Sequence, residues 1–371
     1  MTEILPERGA VSGPEQPADG GPPRPEGDHG GKAPARERGF AAWWRGDAGE
    51  PVRRNSALIV VLLALIAFAA YRRPDVYLDP DRAISNIMTI LTQASAVGVL
   101  AVGMTFVIIG GGIDLSVGSL VGLASVWCTT VATQEFGMLG ILFTAVTVGT
   151  IAGLVNGLLI AYGRMVAFIA TLAMMVAARG LAAQISNKTT QLVSVEGING
   201  LAESKILGIP LLVLVFLGVV VIAWVLLNRT TFGRRTVAVG GNLEAARLAG
   251  INVRRQTLLL YALSGLCCGI AAIILVSLSN AGASTHGEFY ELDAIAAAII
   301  GGTALAGGRG TIVGTLLGVL VFAMITNLFI LLNLQVEVQN IVKGLIIIGA
   351  VLVQQFRIGG LRKRPAAPKA A

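Results

Sequence analysis

Between Ser56 and Gln355 the chain is written in long apolar runs, broken only by short glycine-rich or charged stretches. Of its 371 residues 54% are hydrophobic and the mean hydropathy is +0.76. Only 13% are charged, against roughly 25% in a soluble domain. So few charges cannot cover the apolar surface in water, and lipid must be the solvent. In hydrocarbon a helix of about 20 apolar residues satisfies its own backbone polar groups while crossing the bilayer. The 47 glycines would be costly in soluble helices, but in a membrane bundle small residues let helices approach closely. The expected fold class is all-α, a polytopic membrane helix bundle.

The approximate spans are Ser56–Tyr71, Ala83–Ile109, Ser116–Thr133, Met138–Tyr162, Ala167–Ile185, Pro210–Leu227, Thr257–Ser279, Leu292–Leu305, Ile312–Leu332 and Val338–Gln355, about ten in all. The second is long enough to tilt or to break near Gly110-Gly111-Gly112. The eighth is short and reads as re-entrant or interrupted. Residues 1–55, rich in Pro, Gly, Glu and Arg, read as a disordered cytoplasmic tail with Trp43 and Trp44 at the membrane interface and Arg53 and Arg54 as inside anchors. The tail is not a secretory signal, because the apolar run starts late and lacks a small-residue cleavage site. The transmembrane domain is 56–356, with a cytoplasmic loop at 228–255, and 357–371 forms a basic cytoplasmic tail.

The net charge of +7 does not point to nucleic acid, because the basic residues gather beside apolar spans. With the amino terminus inside, ten crossings place Arg164, the Arg229–Arg255 stretch and the Arg357, Arg362, Lys363, Arg364 tail inside. The Glu135, Glu203 and Glu288 loops then lie outside, and both termini are cytoplasmic. Arg72, Arg73 and Arg82 count against this scheme, although Asp75, Asp79 and Asp81 are interleaved with them. Cys128, Cys267 and Cys268 lie in apolar segments without CxxC spacing or a nearby His, so no metal or redox cofactor is expected.

The string from Thr105 to Ser119 contains Gly110-Gly111-Gly112-Ile113-Asp114-Leu115-Ser116. Three glycines break a helix. Asp114 then either caps a helix beginning at Leu115 or marks a break that exposes backbone to a polar cavity. A similar spelling returns at Ile299-Ile300-Gly301-Gly302 before Val313-Gly314-Thr315, which raises the possibility of an internal repeat. The charged island Gly240-Gly241-Asn242-Leu243-Glu244-Ala245-Ala246-Arg247-Leu248-Ala249-Gly250 reads as one short helix, with Leu243, Ala246 and Ala249 on one face and Gly250 at its end. Such a helix is too short to be stable alone and needs a groove to lie in. Arg179 lies inside the fifth span, where an ionisable group either serves a path or pairs with a helix carbonyl to hold the bundle. Glu291 and Asp293 sit at the outer start of the eighth span, as helix amino-terminal acids or as a docking point.

Taken in order, these strings resemble the membrane-spanning permeases of bacterial ABC sugar importers, the ribose/xylose/galactose-type permease family. The likeness rests on Gly103-Met104-Thr105-Phe106 with Gly110–Ser119, Phe168–Leu172 with Arg179–Ala182, Gly241–Ala246 with Gly250-Ile251, and Glu291–Ala297 leading to Gly301-Gly302-Thr303 and Gly307–Gly310. It covers about Ser56 to Gln355. The chain departs from the family pattern where no proline follows Gly250 and where Met165-Val166-Ala167 replaces the usual proline before Phe168.

The resemblance implies that Glu244, Ala245, Ala246 and Gly250 couple the chain to a separate ATP-binding subunit. It also implies an extracytoplasmic solute-binding protein and a permease homodimer in the bacterial plasma membrane. No Gly-x4-Gly-Lys-[Ser/Thr] string is present, so ATP belongs to the partner ATPase and no cofactor is expected on this chain. A neutral sugar-like solute suits a path with few charges, for which Thr105, Asp114, Ser116, Asn156, Thr171, Arg179 and Asn327 are the candidates. The rival reading is an ion-coupled secondary transporter, which normally carries several intramembrane carboxylates. An intramembrane enzyme would need a cluster of nucleophile, base or metal ligands, and none is spelled.

Overall fold

The computed structural model describes residues 50–361, with side chains described over 55–352. The helices are α1 (Glu50–Arg72), α2 (Pro74–Tyr77), α3 (Pro80–Ile109), α4 (Val117–Cys128), α5 (Val131–Gln134), α6 (Gly137–Ala161), α7 (Ala167–Ile185), α8 (Ile198–Glu203), α9 (Leu211–Arg229), α10 (Thr231–Gly241), α11 (Leu243–Leu248), α12 (Val253–Ser279), α13 (Tyr290–Ile300), α14 (Ile312–Leu331) and α15 (Val336–Leu361). Two small antiparallel ladders complete the fold. Strand β1 (Gln191–Leu192) pairs with β4 (Ala281–Gly282), and β2 (Lys205–Ile206) pairs with β3 (Ile209–Pro210). The expected tail to residue 49, with Trp43 and Trp44, and residues 362–371 lie outside the described residues. Residues 50–55 belong to α1 and 357–361 to α15.

Seven helices among the described residues are long and apolar enough to cross a bilayer: α1, α3, α6, α7, α9, α12 and α14. The expected third span is corrected. α4 has 12 residues, about 18 Å at 1.5 Å per residue, too short for a core of about 30 Å. It ends where the Thr129 hydroxyl turns back to the carbonyls of Ser125 (2.9 Å) and Val126 (3.1 Å). α13, in the expected eighth span, has only 11 residues.

α3 is the centre of the bundle. It is buried all round from Gly98 to Ile109 and packs against α9, α12, α13 and α14. A helix that is apolar on every side belongs in such a place. α6 and α12 approach each other closely along their length. Gly149 and Gly153 of α6 face Gly265 of α12 backbone to backbone, and a Cβ on Gly157 would stand 2.9 Å from the Leu258 Cα. This close approach is the physical reason for small residues at four-residue spacing.

The two glycine breaks close their helices in the same way. Gly112 N–H donates to the Val107 carbonyl, and Thr303 N–H to the Ala298 carbonyl, both at 2.9 Å, with Gly111 at φ +86° and Gly302 at φ +84°. The same closure ends α11, where Ile251 N–H donates to the Ala246 carbonyl (3.1 Å) past Gly250 at φ +79°. The shared closure therefore does not by itself mark a repeat. The helix pairs around the breaks also differ: a 30-residue helix precedes a 12-residue one at the first, and an 11-residue helix precedes a 20-residue one at the second.

Candidate functional site

The break after α3 carries a buried polar cluster. α4 begins at Val117 rather than Leu115, and Asp114 does not cap it as its preceding residue. Instead Asp114 folds its carboxylate onto its own turn. Oδ1 accepts from the Ser116 N–H (3.0 Å) and the Ser116 hydroxyl (2.6 Å), and Oδ2 accepts from the Ser264 hydroxyl of α12 (2.9 Å). Asn156 of α6 donates its amide to Ser116 Oγ (2.8 Å), and the Tyr261 hydroxyl donates to the Ile113 carbonyl (3.2 Å). Asp114, Ser116 and Asn156 are fully buried and Ser264 nearly so. The structure thus joins three of the expected path residues, but into a closed brace across α4, α6 and α12. Ser264 and Tyr261 sit in an unbroken apolar run, and no local sequence signal marks them.

The other expected path groups are separate. Thr105 Oγ1 donates to the Ala101 carbonyl and meets Thr315 Oγ1 of α14, both at 2.7 Å. Thr171 returns its hydroxyl to the Ala167 carbonyl (2.9 Å) within α7. Asn327 accepts from the Tyr77 hydroxyl (2.9 Å) and donates to Asn86 Oδ1 (3.3 Å), tying α14 to α2 and α3.

The segment after β4 does not lie over the end of the bundle; it runs back along α4. Gly282 touches Thr129, Ser284 and His286 reach Gly122, and Gly287 touches Gly118. The His286 ring meets the Ser125 hydroxyl at 2.7 Å. Arg179 of α7 holds this segment through Nη1, which donates to the carbonyls of Ser284 and His286 (3.1 Å to the latter). Its partners are loop carbonyls, not the expected helix carbonyl. The start of α13 is in consequence carried into the bundle, level with the Gly118 turn of α4, rather than to the outer edge. Gly118 makes the room, since a Cβ there would meet the Glu291 carboxylate. Glu291 Oε2 is buried without a hydrogen-bond partner. Asp293 is buried in an ion pair with Lys343 of α15 (3.0 Å) and is not an open docking point.

The charged island forms its one short helix, α11, and a second helix that the sequence did not suggest, α10, precedes it in the 228–255 loop. α10 is anchored to the core by Phe232, whose ring lies 6.0 Å from that of Phe106, and by Gln256 of α12, which donates to the Phe232 carbonyl (3.1 Å) and Thr236 Oγ1 (2.8 Å). Asn242 caps α11 by accepting from the Ala245 N–H (2.9 Å). Ala246 turns inward at 4% exposure, whereas Leu243 and Leu248 are 51% and 88% exposed. The expected shared face is thus divided: Ala246 is buried, while Leu243 and Ala249 are exposed together with Glu244 and Ala245. Beside α11 a groove of about 400 Å³ opens between α10 and α12, with Arg235, Gly250 and Arg255 in its lining.

Island and break meet at glycines. Gly308 N–H donates to the Ile109 carbonyl (2.8 Å), the last of α3. Gly240 lies against the same carbonyl, so closely that a Cβ would overlap it. The island is therefore packed directly onto the broken end of the central helix.

Residues 86–351 match the family described as "Branched-chain amino acid transport system / permease component". The chain is 41% identical over 296 residues to the ribose import permease protein of Bacillus subtilis (strain 168), which covers 79% of this chain and 90% of that one. It is 40% identical over 301 residues to the ribose import permease protein of Escherichia coli (strain K12), covering 80% and 92%. The L-arabinose ABC transporter permease protein of Azospirillum brasilense is 36% identical over 325 residues, covering 88% and 92%. No solved structure matches the chain. A multi-pass helix bundle, a broken central helix with a packed surface island, and these relatives lead to one assignment: the chain belongs to the permease-component family that contains these sugar import permeases, and it is a membrane transport subunit rather than an enzyme or an ion-coupled carrier.

Proposed function

We propose that this chain forms the membrane path of an importer for a monosaccharide, driven by a separate ATP-binding subunit and fed by a solute-binding protein. The observation that carries the reading is the contact of Gly240 and Gly308 with the Ile109 carbonyl. It connects the exposed helix α11 to the break of α3 through backbone alone, so a push on the island reaches the centre of the bundle without a flexible side chain between. The family description names branched-chain amino acids, but the three relatives above are sugar permeases, which favours a sugar.

The ATPase docks on Leu243, Glu244, Ala245, Leu248 and Gly250 and uses the adjoining groove. Both termini are cytoplasmic, with ten membrane elements of which α4 and α13 are half-length. Arg73 and Arg82, which oppose that orientation, are paired with Asp75 (3.0 Å) and Asp79 (3.9 Å). Two copies form the path. The test is reconstitution of this chain with its cognate ATPase and binding protein in proteoliposomes. Uptake of a labelled pentose that needs ATP and all three components is the expected result; ATP-independent uptake driven by an ion gradient would overturn the reading.

A further inference from the structure

We propose that the cleft between α13 and α15 is a contact site for a single neutral sugar ring during its passage; the proposal rests on the import reading above. The cleft has a volume of about 140 Å³, and Phe289, Asp293, Asn340, Lys343 and Gly344 are among its lining residues. Its depth is set by the fold. The segment before α13 runs back along α4 as far as Gly118, beside the turn that holds Asp114 against Ser264 in the middle of α12. α13 then runs from that level toward the island, where the segment after it touches Gly240. A half-length helix that starts in the interior of a membrane bundle is the element around which transporters build solute sites.

Three further observations point to a ligand. Asp293 and Lys343 form an ion pair whose side chains are 8% and 19% exposed. Such charges are expensive at membrane depth and face a path or a polar cavity by default. Second, Phe289 holds its backbone at φ +63°, a conformation an aromatic residue adopts at a cost. Its side chain is half exposed and is part of the cleft lining. Third, the chemistry is that of a polyol. An aromatic ring offers a face to the C–H side of a sugar, while the Asn340 amide and the Lys343 ammonium offer hydrogen bonds to its hydroxyls. An ammonium has three donors, and Asp293 takes one. Lys343 Nζ is also held 5.4 Å from the Phe322 ring, so it is positioned before a solute arrives. The paired charges cancel, which suits a neutral solute. Ordinary ligand pockets measure roughly 300–1,000 Å³, so this cleft is one wall of a path, which binds weakly enough to let go.

The test uses the complete importer in proteoliposomes with D-ribose, L-arabinose and D-xylose. A Cβ at Gly344, which lines the cleft, would meet nothing within 4 Å, so Gly344→Leu places bulk at the cleft wall from an unobstructed position and favours the helix. Uptake should fall at least about tenfold, as for an obstructed pocket, while membrane abundance and ATP hydrolysis stimulated by the binding protein persist. The double variant Asp293→Asn with Lys343→Gln should change the ratio of rates among the three sugars. A mere staple between α13 and α15 would lower all rates equally, together with abundance, and that outcome overturns the proposal. So does full uptake by Gly344→Leu. If wild type takes up none of the three, the sugar reading itself fails; if wild type transports and the variants match it, only the cleft is wrong.

Discussion

The Gly308 amide donates to the Ile109 carbonyl at 2.8 Å, across almost 200 residues of sequence. Ile109 ends the central helix by surrendering its carbonyl to another segment rather than to its own next turn. Gly240, the start of the island, closes on the same atom. Three glycine-bearing segments thus share one point, and that point joins the surface to the core.

Gly240→Val should damage this junction, because its side chain would overlap the Ile109 carbonyl. Overpacking of this kind costs about 1–3 kcal/mol. A lower unfolding temperature in detergent is expected, with uptake lost before ATP hydrolysis. An unchanged unfolding temperature and normal uptake would show the contact to be idle. Gly241→Ala, which meets nothing within 4 Å, is the matched control.

Leu248→Glu should uncouple the importer without harming the fold, since this side chain is 88% exposed. The ratio of ATP hydrolysed to sugar moved should rise while the chain inserts normally. Ala246→Glu should behave differently. It places a carboxylate in a buried position, so low abundance rather than uncoupling is expected. Membrane abundance by quantitative blotting separates the two, and equal behaviour of both variants would remove the distinction.

The Asp114 brace makes a graded prediction. Ser264→Ala removes one of three hydrogen bonds and should cost about 1 kcal/mol. Asp114→Leu removes the acceptor for all three and leaves the Ser116 amide without its partner, so roughly 2–5 kcal/mol is expected. Asp114→Asn keeps an acceptor for Ser116 and should lie between. Thermal unfolding of the three variants checks the order, and a Leu variant as stable as wild type would refute the brace.

Arg179→Ala should free the segment of Ser284 and His286 from α7. Increased proteolytic cleavage between Ala283 and Phe289 is expected, with reduced uptake. Arg179→Lys should restore part of the effect, because an ammonium donates to the same carbonyls without the rigid fork. Unchanged cleavage in the Ala variant would show that α4 alone holds the segment.

Much was legible from local spelling. Apolar runs of membrane length, glycines that stop helices at Gly111 and Gly302, and the polar island at 240–250 are each encoded within a few residues, because helix formation in lipid is a local demand of the backbone. The family likeness was legible for the same reason. The length of α4 was not: it depends on where Thr129 turns its hydroxyl, and the run from Ser116 to Thr133 reads as a full span without it. Nor was the direction of Ala246, which is set by the anchoring of α10 on Phe106 and Gln256. Asp114 and Arg179 stood out as ionisable residues in apolar surroundings, but a sequence names a charge without naming its partner. Ser264, Ser284 and Lys343 lie at least 50 residues away from the groups they meet, and only the packing of the helices brings them together: the glycine contacts of α6 with α12 beside Ser264, the small Gly118 and Gly122 of α4 beneath the 284–291 segment, and α15 against α13 at Lys343.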